Sequence, residues 1–437
     1  MAWEPMSLKQ AGVALIDCVH ATPNPVTSGY PYIAIPQMTG GRIKFDDARQ
    51  ISADDFAAWT RKACPKKHDV VLSRRTNPGV TAPVSDRADF ALGQNLVLLR
   101  ADGSRVLPEF LRWLATSPQW WGQIEKFMNV GAIFNSLRCA DVPNFVLSIP
   151  PLADQQPIAE ILSALDDKIE LNRRVNQTLE SSARALFRDW FVDFGPTRAQ
   201  AEGRPAYLAP DLWSLFPDRL DDNGVPEGWP LARLADHTTV IKGRSYSSAE
   251  LSASPTALVT LKSFERGGGY RRDGLKPYTG PFKEEQVVSN GEIIISQTDV
   301  TQAAELIGRP ARVVVDTRFE RLVASLDVAI LRPSIGSYLD REFLFGLTDN
   351  QAFTHHALAH TTGTTVLHLA KNAVPSFEFV LPGAPVVDAF QKCIGPFHKK
   401  VADNVQENDT LAATRDALLP KLMSGELRVR DAEALAA

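Results

Sequence analysis

Two histidines four residues apart, His356 and His360 in "THHALAHTTGTTVLH", are the pair whose types and spacing come closest to metal chemistry. On a helix they would lie one turn apart on one face and could share a metal ion. No carboxylate or cysteine completes the ligand set nearby. Histidines at the surface or facing a nucleic acid are the preferred reading of the His355–His360 cluster, and no metal is expected. Other catalytic spacings are missing too. There is no G-x-x-x-x-G-K-[ST], and Gly267-Gly268-Gly269 lacks the strand and helix that a phosphate loop needs. Asn24-Pro25-Val26 and Asn77-Pro78-Gly79 are not the Asn-Pro-Pro-aromatic run that holds a target nitrogen for methyl transfer, and no E-x-K follows a Pro-Asp in the nuclease pattern. Cys18, Cys64, Cys139 and Cys393 are scattered, with no C-x-x-C pair, as expected of a reduced, cytoplasmic protein. No catalytic residue is nominated.

Two basic segments remain. "RKACPKKHDVVLSRR" sets Arg61, Lys62, Lys66, Lys67, Arg74 and Arg75 against the single acid Asp69. Lys262, Arg266, Arg271, Arg272 and Lys276 face only Glu265 and Asp273 in the second. Lysine and arginine on loops neutralise phosphates, and arginine also reads base edges. On charge alone Lys62, Lys66, Lys67, Arg74 and Arg75, with Lys262, Arg266, Arg271, Arg272 and Lys276, are candidate DNA contacts. Ordinary solvated surface is the alternative for either segment taken alone.

The elements that must position these loops are legible in a long-period repeat. "FVLSIP" ending at Pro150 and "FEFVLP" ending at Pro382 are offset by 382 − 150 = 232 residues. That offset pairs Lys168 with Lys400, Asn172 with Asn404, Asn176 with Asn408 and Leu179 with Leu411, and backward Gly131 with Gly363 and Arg100 with Arg332. Upstream, "HDVVLSRR" and "GEIIISQT" both read as a turn entering a buried strand. Each half therefore runs from an α/β globule into a long helix. In the first helix Ile158, Leu162, Leu165, Ile169, Asn172, Asn176, Leu179, Ala183, Leu186 and Trp190 alternate steps of four and three, a coiled-coil seam. Phe390, Ile394, Phe397, Val401, Asn404, Asn408, Leu411, Arg415, Leu418 and Leu422 repeat it, with Arg415 as its one defect.

Asp154 is the expected N-cap of the first helix, with Pro157 in its first turn. Gly395-Pro396 predicts a kink in the second helix, or a start near Phe397. Two such helices pack most economically on each other, although each could pack on its own globule alone. Asn172, Asn176, Asn404 and Asn408 either pair across the seam and fix its register, or lie exposed where the helices splay. The expected fold is α+β. Residues 1–150 and 227–382 form the globules, 151–195 and 383–425 the helices, 196–226 a connector and 426–437 a tail. The chain is 44% hydrophobic and 22% charged with a net charge of −4, and no apolar run reaches the roughly 18 residues of a bilayer span. No membrane partner is expected.

"IPPLADQQPIAEILSALDDKIELNRRVNQTLESSARALFRDWFVDFGPT", "LFPDRLDDNGVPEGW" and "TRDALLPKLMSGELRV" closely resemble the specificity subunit of type I restriction-modification enzymes. The resemblance runs along nearly the whole chain. It implies two target-recognition domains, each reading one half of a bipartite double-stranded DNA target. Two long antiparallel coiled-coil helices would separate them in a pseudo-twofold arrangement. It implies two methyltransferase subunits and a restriction subunit as partners, with S-adenosylmethionine, ATP and Mg bound on those partners and no cofactor on this chain. It also implies no catalysis of its own. A self-sufficient DNA-modifying enzyme and a structural coiled-coil adaptor are the competing readings.

Overall fold

A computed structural model describes residues 3–130, 135–301 and 303–429. Gly131, paired with Gly363 in the repeat, and the tail beyond Val429 lie outside the described residues. The chain divides into two units, Met1–Asn172 with Gln406–Ala437, and Arg173–Val405.

In the first unit an antiparallel sheet has the order Val13–Asp17, Leu96–Ala101, Val70–Ser73, Thr81–Pro83. The runs "VVLS" and "LVLLRA" are apolar without alternation because both faces of this sheet are covered. Val70, Leu72, Val97 and Leu99 pack with Phe110, Trp113 and Trp120, and with Ile158, Leu162 and Leu165 of the long helix. Val71, Leu96 and Leu98 face a separate core containing Ile33, Phe90 and Leu92. Tyr30–Ile33 lies between Arg49–Ile51, antiparallel, and Ala91–Leu92, parallel. Pro118–Phe127 begins where the Ser117 hydroxyl accepts the Trp120 N–H at 3.3 Å.

The second unit repeats this plan. Its sheet has the order Thr238–Lys242, Val328–Pro333, Ile293–Ser296, Pro310–Arg312, and Thr256–Val259 runs parallel to Arg321–Ala324. Helices Arg341–Thr348 and Gln351–Ala359 are capped by the Asp340 and Asn350 side chains. The connector is ordered, with short helices Gly195–Ala201 and Pro210–Trp213, and its Phe216 ring lies 5.0 Å from that of Trp190.

Two long helices run through the chain, Leu152–Phe191 with 40 residues and Ala384–Ser424 with 41. The first corrects the expected N-cap, and the second, which starts beside the expected residue 383, excludes the alternative start near Phe397. The first begins at Leu152, so Asp154 lies inside its first turn and Pro157 in the helix interior. The cause is tertiary. Gln155, fully buried, accepts the Leu107 N–H and donates to the Arg105 and Pro150 carbonyls, fastening the helix start to the globule. The second helix runs through Gly395-Pro396 without a later start. A proline inside a helix costs about 3 kcal/mol. Val386, Val387, Phe390 and Ile394, all buried ahead of it, each contribute about 1.5–3 kcal/mol. Gly425, with φ of +75°, follows the last turn, as a helix-ending glycine does.

Burial along the first helix keeps seam spacing through Ile158, Leu162, Leu165, Ile169 and Asn172. Beyond it Leu179 and Leu186 are half-buried, while Ala183, Phe187 and Trp190 are buried. Ala183 and Trp190 thus keep the seam, and Phe187 is buried in place of its neighbour Leu186. In the second helix Leu418 is buried, and Val401 and Leu411 are half-buried.

Candidate nucleic-acid interface

The first basic segment leaves helix Ala53–Thr60 and enters strand Val70–Ser73. Its one acid does not neutralise the lysines. Asp69, buried, accepts the Lys66 backbone N–H at 2.8 Å and a two-pronged contact from Arg100 at 2.8 and 2.6 Å. The carboxylate thereby fixes the loop while Lys62 and Lys66 point into solvent, both exposed. Lys67 pairs with Asp86 at 2.7 Å, a contact exposed on both sides. Arg75 is exposed, and Arg74 is half-buried with its Nε unpartnered.

The second segment is better compensated than its composition suggests. Arg266 pairs with Glu305 at 3.4 Å and Arg271 with Asp273 at 2.5 Å, and the Lys276 ammonium stands 5.8 Å from the Tyr246 ring. Lys262 is exposed on the short turn Leu261–Ser263, and the Arg272 carbonyl accepts from Arg318. This segment follows strand Thr256–Val259, whose counterpart in the first unit is Tyr30–Ile33. The first segment instead precedes Val70–Ser73, whose counterpart is Ile293–Ser296. The two segments therefore occupy different places in the shared scaffold.

The asparagines make specific contacts. In the first unit Asn172 donates to Asn408 Oδ1 at 3.0 Å and to Glu407 at 2.8 Å. In the second, Asn404 donates to Asn176 Oδ1 at 2.7 Å. Each unit brings the two helices together antiparallel, since partners fall from Arg415 to Asn408 as residues rise from Asp166 to Asn172. In the second unit they fall from Asn404 to Phe390 between Asn176 and Phe187.

Charge locks flank these contacts. Asp166, buried in the first helix, accepts from Arg112 of the globule and, at 2.5 Å, from Arg415 of the second helix. Arg42 adds contacts to Glu170 and to the Asp166 carbonyl. The repeat offset places 166 + 232 = 398 opposite Asp166, and His398 binds Glu342 of the second globule. Glu342 also holds Arg312 at 2.9 and 2.6 Å. Burial raises the Glu342 carboxyl, but hydrogen bonds from His398 and Arg312 overcome it and hold it at about 2. The helix carries the acid in one copy and the histidine in the other. Sequence reading missed both locks, and its only trace was Arg415, which stood out as a seam defect.

A cavity of about 700 Å³ in the second unit is lined by both helices and by residues 342–352. Among its charges Arg184 pairs with Asp349 at 2.6 Å, beside the Glu342 lock. His356 and His360 do not converge on a metal. His356 Nε2 meets the Ala373 carbonyl and His360 Nδ1 the His356 carbonyl, each at 2.8 Å.

Residues 24–181 match the family model described as the type I restriction modification DNA specificity domain. The chain is 25% identical to the type I restriction enzyme HindI specificity subunit of Haemophilus influenzae, over 88% of this chain and 92% of that protein. It is also 25% identical to the MjaIX specificity subunit of Methanocaldococcus jannaschii, over 92% and 90%. The crystal structure of a type I restriction-modification S subunit from M. genitalium shares the fold, with a TM-score of 0.53 at 14% identity over 96% of both chains. With a family domain in the first half and relatives that extend through both, the chain belongs to the type I restriction-modification specificity-subunit family.

Proposed function

We propose that this chain reads a bipartite DNA target and positions partner methyltransferase and restriction subunits on it, without catalysis of its own. One observation carries the reading. Two globules with the same four-strand order each lead into a helix of 40 or 41 residues. Two similar reading heads suit a target in two halves. A helix of this length extends about 60 Å, on the order of 18 base-pair steps, an upper limit for the separation of the halves. Antiparallel helix contacts within each unit support a pseudo-twofold arrangement of the heads, in which the helices set the gap. Two methyltransferase subunits would dock along the helices, and S-adenosylmethionine, ATP and Mg would bind on the partners.

The test pairs this chain with its methyltransferase. Methylome sequencing of a host expressing the system identifies the target, and gel shifts then compare that duplex with random sequence across a salt series. A specific duplex is expected to bind roughly a thousandfold or more tighter than random DNA, with affinity falling as salt rises. Equal, weak binding to both duplexes would favour the adaptor. Methylation by the purified chain with S-adenosylmethionine and no partner would establish the self-sufficient enzyme instead.

A further inference from the structure

The third strand in the chain order of each four-stranded sheet, Val70–Ser73 or Ile293–Ser296, ends in a hairpin whose base is built alike in both units. The Ser73 N–H donates to the Val80 carbonyl and the Gly79 N–H to the Ser73 carbonyl, and in the second unit the Ser296 N–H donates to Arg309 and the Gly308 N–H to Ser296. Gly79 and Gly308 both have positive φ, +93° and +69°. Between these anchors lie five residues, 74–78, in one unit and eleven, 297–307, in the other. The base of the hairpin is constant and the loop it carries is not. Arg74 and Gln297 open the two loops at one equivalent position. The Arg74 N–H donates to the Asn95 carbonyl at 3.0 Å and its carbonyl accepts from Leu137 at 2.9 Å, while the Gln297 N–H donates to Asp327 at 2.7 Å and its carbonyl accepts from Leu369 at 2.9 Å. Asn95 and Asp327 are 232 residues apart, as are Leu137 and Leu369, but 297 − 74 = 223, so the offset of the repeat does not pair Arg74 with Gln297.

Their side chains share a second property. Arg74 Nε and Gln297 Nε2 are buried donors without a partner, on side chains that are otherwise half-exposed. An unmet buried donor destabilises the free protein, and its recurrence at one position of both units points to a group that an incoming molecule satisfies. The charge beside the loops says what that molecule is. In the first unit the basic segment runs straight into the loop, with exposed Arg75 next to Arg74. In the second unit the basic segment reaches the corresponding loop from another place in the scaffold, the Gly267 N–H donating to the Glu305 carbonyl at 3.1 Å and Arg266 pairing with Glu305 at 3.4 Å. Each loop therefore lies beside cationic side chains of the kind that hold phosphates. On the reading that each unit recognises one half of a DNA target, we propose that Arg74 and Gln297 are the corresponding base-reading residues of the two heads, Arg74 for a guanine in one half and Gln297 for an adenine in the other. Arginine pairs with O6 and N7 of guanine, and glutamine with N6 and N7 of adenine, each through two hydrogen bonds in the major groove. Rotation about the side-chain torsions brings the buried nitrogen out onto the base and gives it the acceptor it lacks.

The complex of the full chain with its methyltransferase is tested on the duplex that methylome sequencing identifies, and on duplexes carrying each other base at every specified position. Arg74→Ala should remove the preference for one guanine, and Gln297→Ala that for one adenine in the other half. Each should weaken binding to the intact target by about tenfold to a hundredfold and leave binding to random DNA as it was. Arg74→Gln and Gln297→Glu keep most of the side-chain volume, so they hold the test decisive if an alanine variant fails to fold, and they should lose the same preferences. Weakening of specific and random duplexes alike, with a salt slope lower by about one, would make the residue a phosphate contact and overturn its assignment. Base preferences unchanged in the variants would also overturn it, while a wild-type complex that still reads both halves leaves the two-headed account standing. A wild-type complex with no sequence preference would sink that account and this assignment together.

Discussion

Asn404 is fully buried, and while its amide donates to Asn176, its own Oδ1 finds no partner. An unmet buried acceptor costs about 1–3 kcal/mol. Replacing both residues, Asn176→Leu with Asn404→Leu, should therefore leave the protein folded and raise its stability by about 1 kcal/mol in chemical denaturation. If the pair fixes register, the same variant should also methylate targets whose gap is a base pair too long or too short. Higher stability with gap preference intact would reduce the asparagines to tolerated passengers. These positions were legible in the sequence because polar residues interrupt a periodic apolar row. Asp166 was not legible, since nothing local marks a carboxylate whose partner Arg415 lies 249 residues away. An apolar seam reading treats Arg415 as a flaw, whereas the structure makes it, with Arg112, one of two partners of the buried Asp166 carboxylate.

At the scale of elements, periodicity revealed both long helices, and tertiary contacts decided their ends. Gln155 carries the first helix back to Leu152, and four buried apolar side chains carry the second across Pro396. Neither effect has a local signature. Helix length is where the spacing prediction belongs. Removing residues 173–179 together with 401–407 takes seven residues from each helix and keeps Asn172 and Asn408 facing each other. Two turns are about 10 Å, so the gap in the methylated target should shorten by about three base pairs, with both halves unchanged. A target with its original gap would contradict the role of the helices as a ruler. Deleting from one helix alone is a poorer experiment, because the helix contacts of one unit, Asp166–Arg415 or Phe187–Phe390, would lose their register.

For the whole molecule, the repeat announced two similar globules, and the shared strand order Val13–Asp17, Leu96–Ala101, Val70–Ser73, Thr81–Pro83 against Thr238–Lys242, Val328–Pro333, Ile293–Ser296, Pro310–Arg312 accords with it. The DNA surface was far less legible. Composition cannot tell Lys66, which is exposed, from Arg271, which Asp273 neutralises, because pairing depends on folded geometry. The two basic segments also lie on loops at different places in the shared scaffold. The two heads thus share a scaffold and differ in the loops it carries, as expected if each reads its own bases. Exchanging residues 1–145 for those of another family member should then change one half of the methylated target, leaving the other half and the gap as they were. The donor segment must carry arginine at the position of Arg112, or Asp166 is left buried with one fewer partner. Methylome sequencing of a host carrying the exchange reads the result directly. If both halves change in a chain that still folds and binds its methyltransferase, the heads do not read independently and the two-headed account fails.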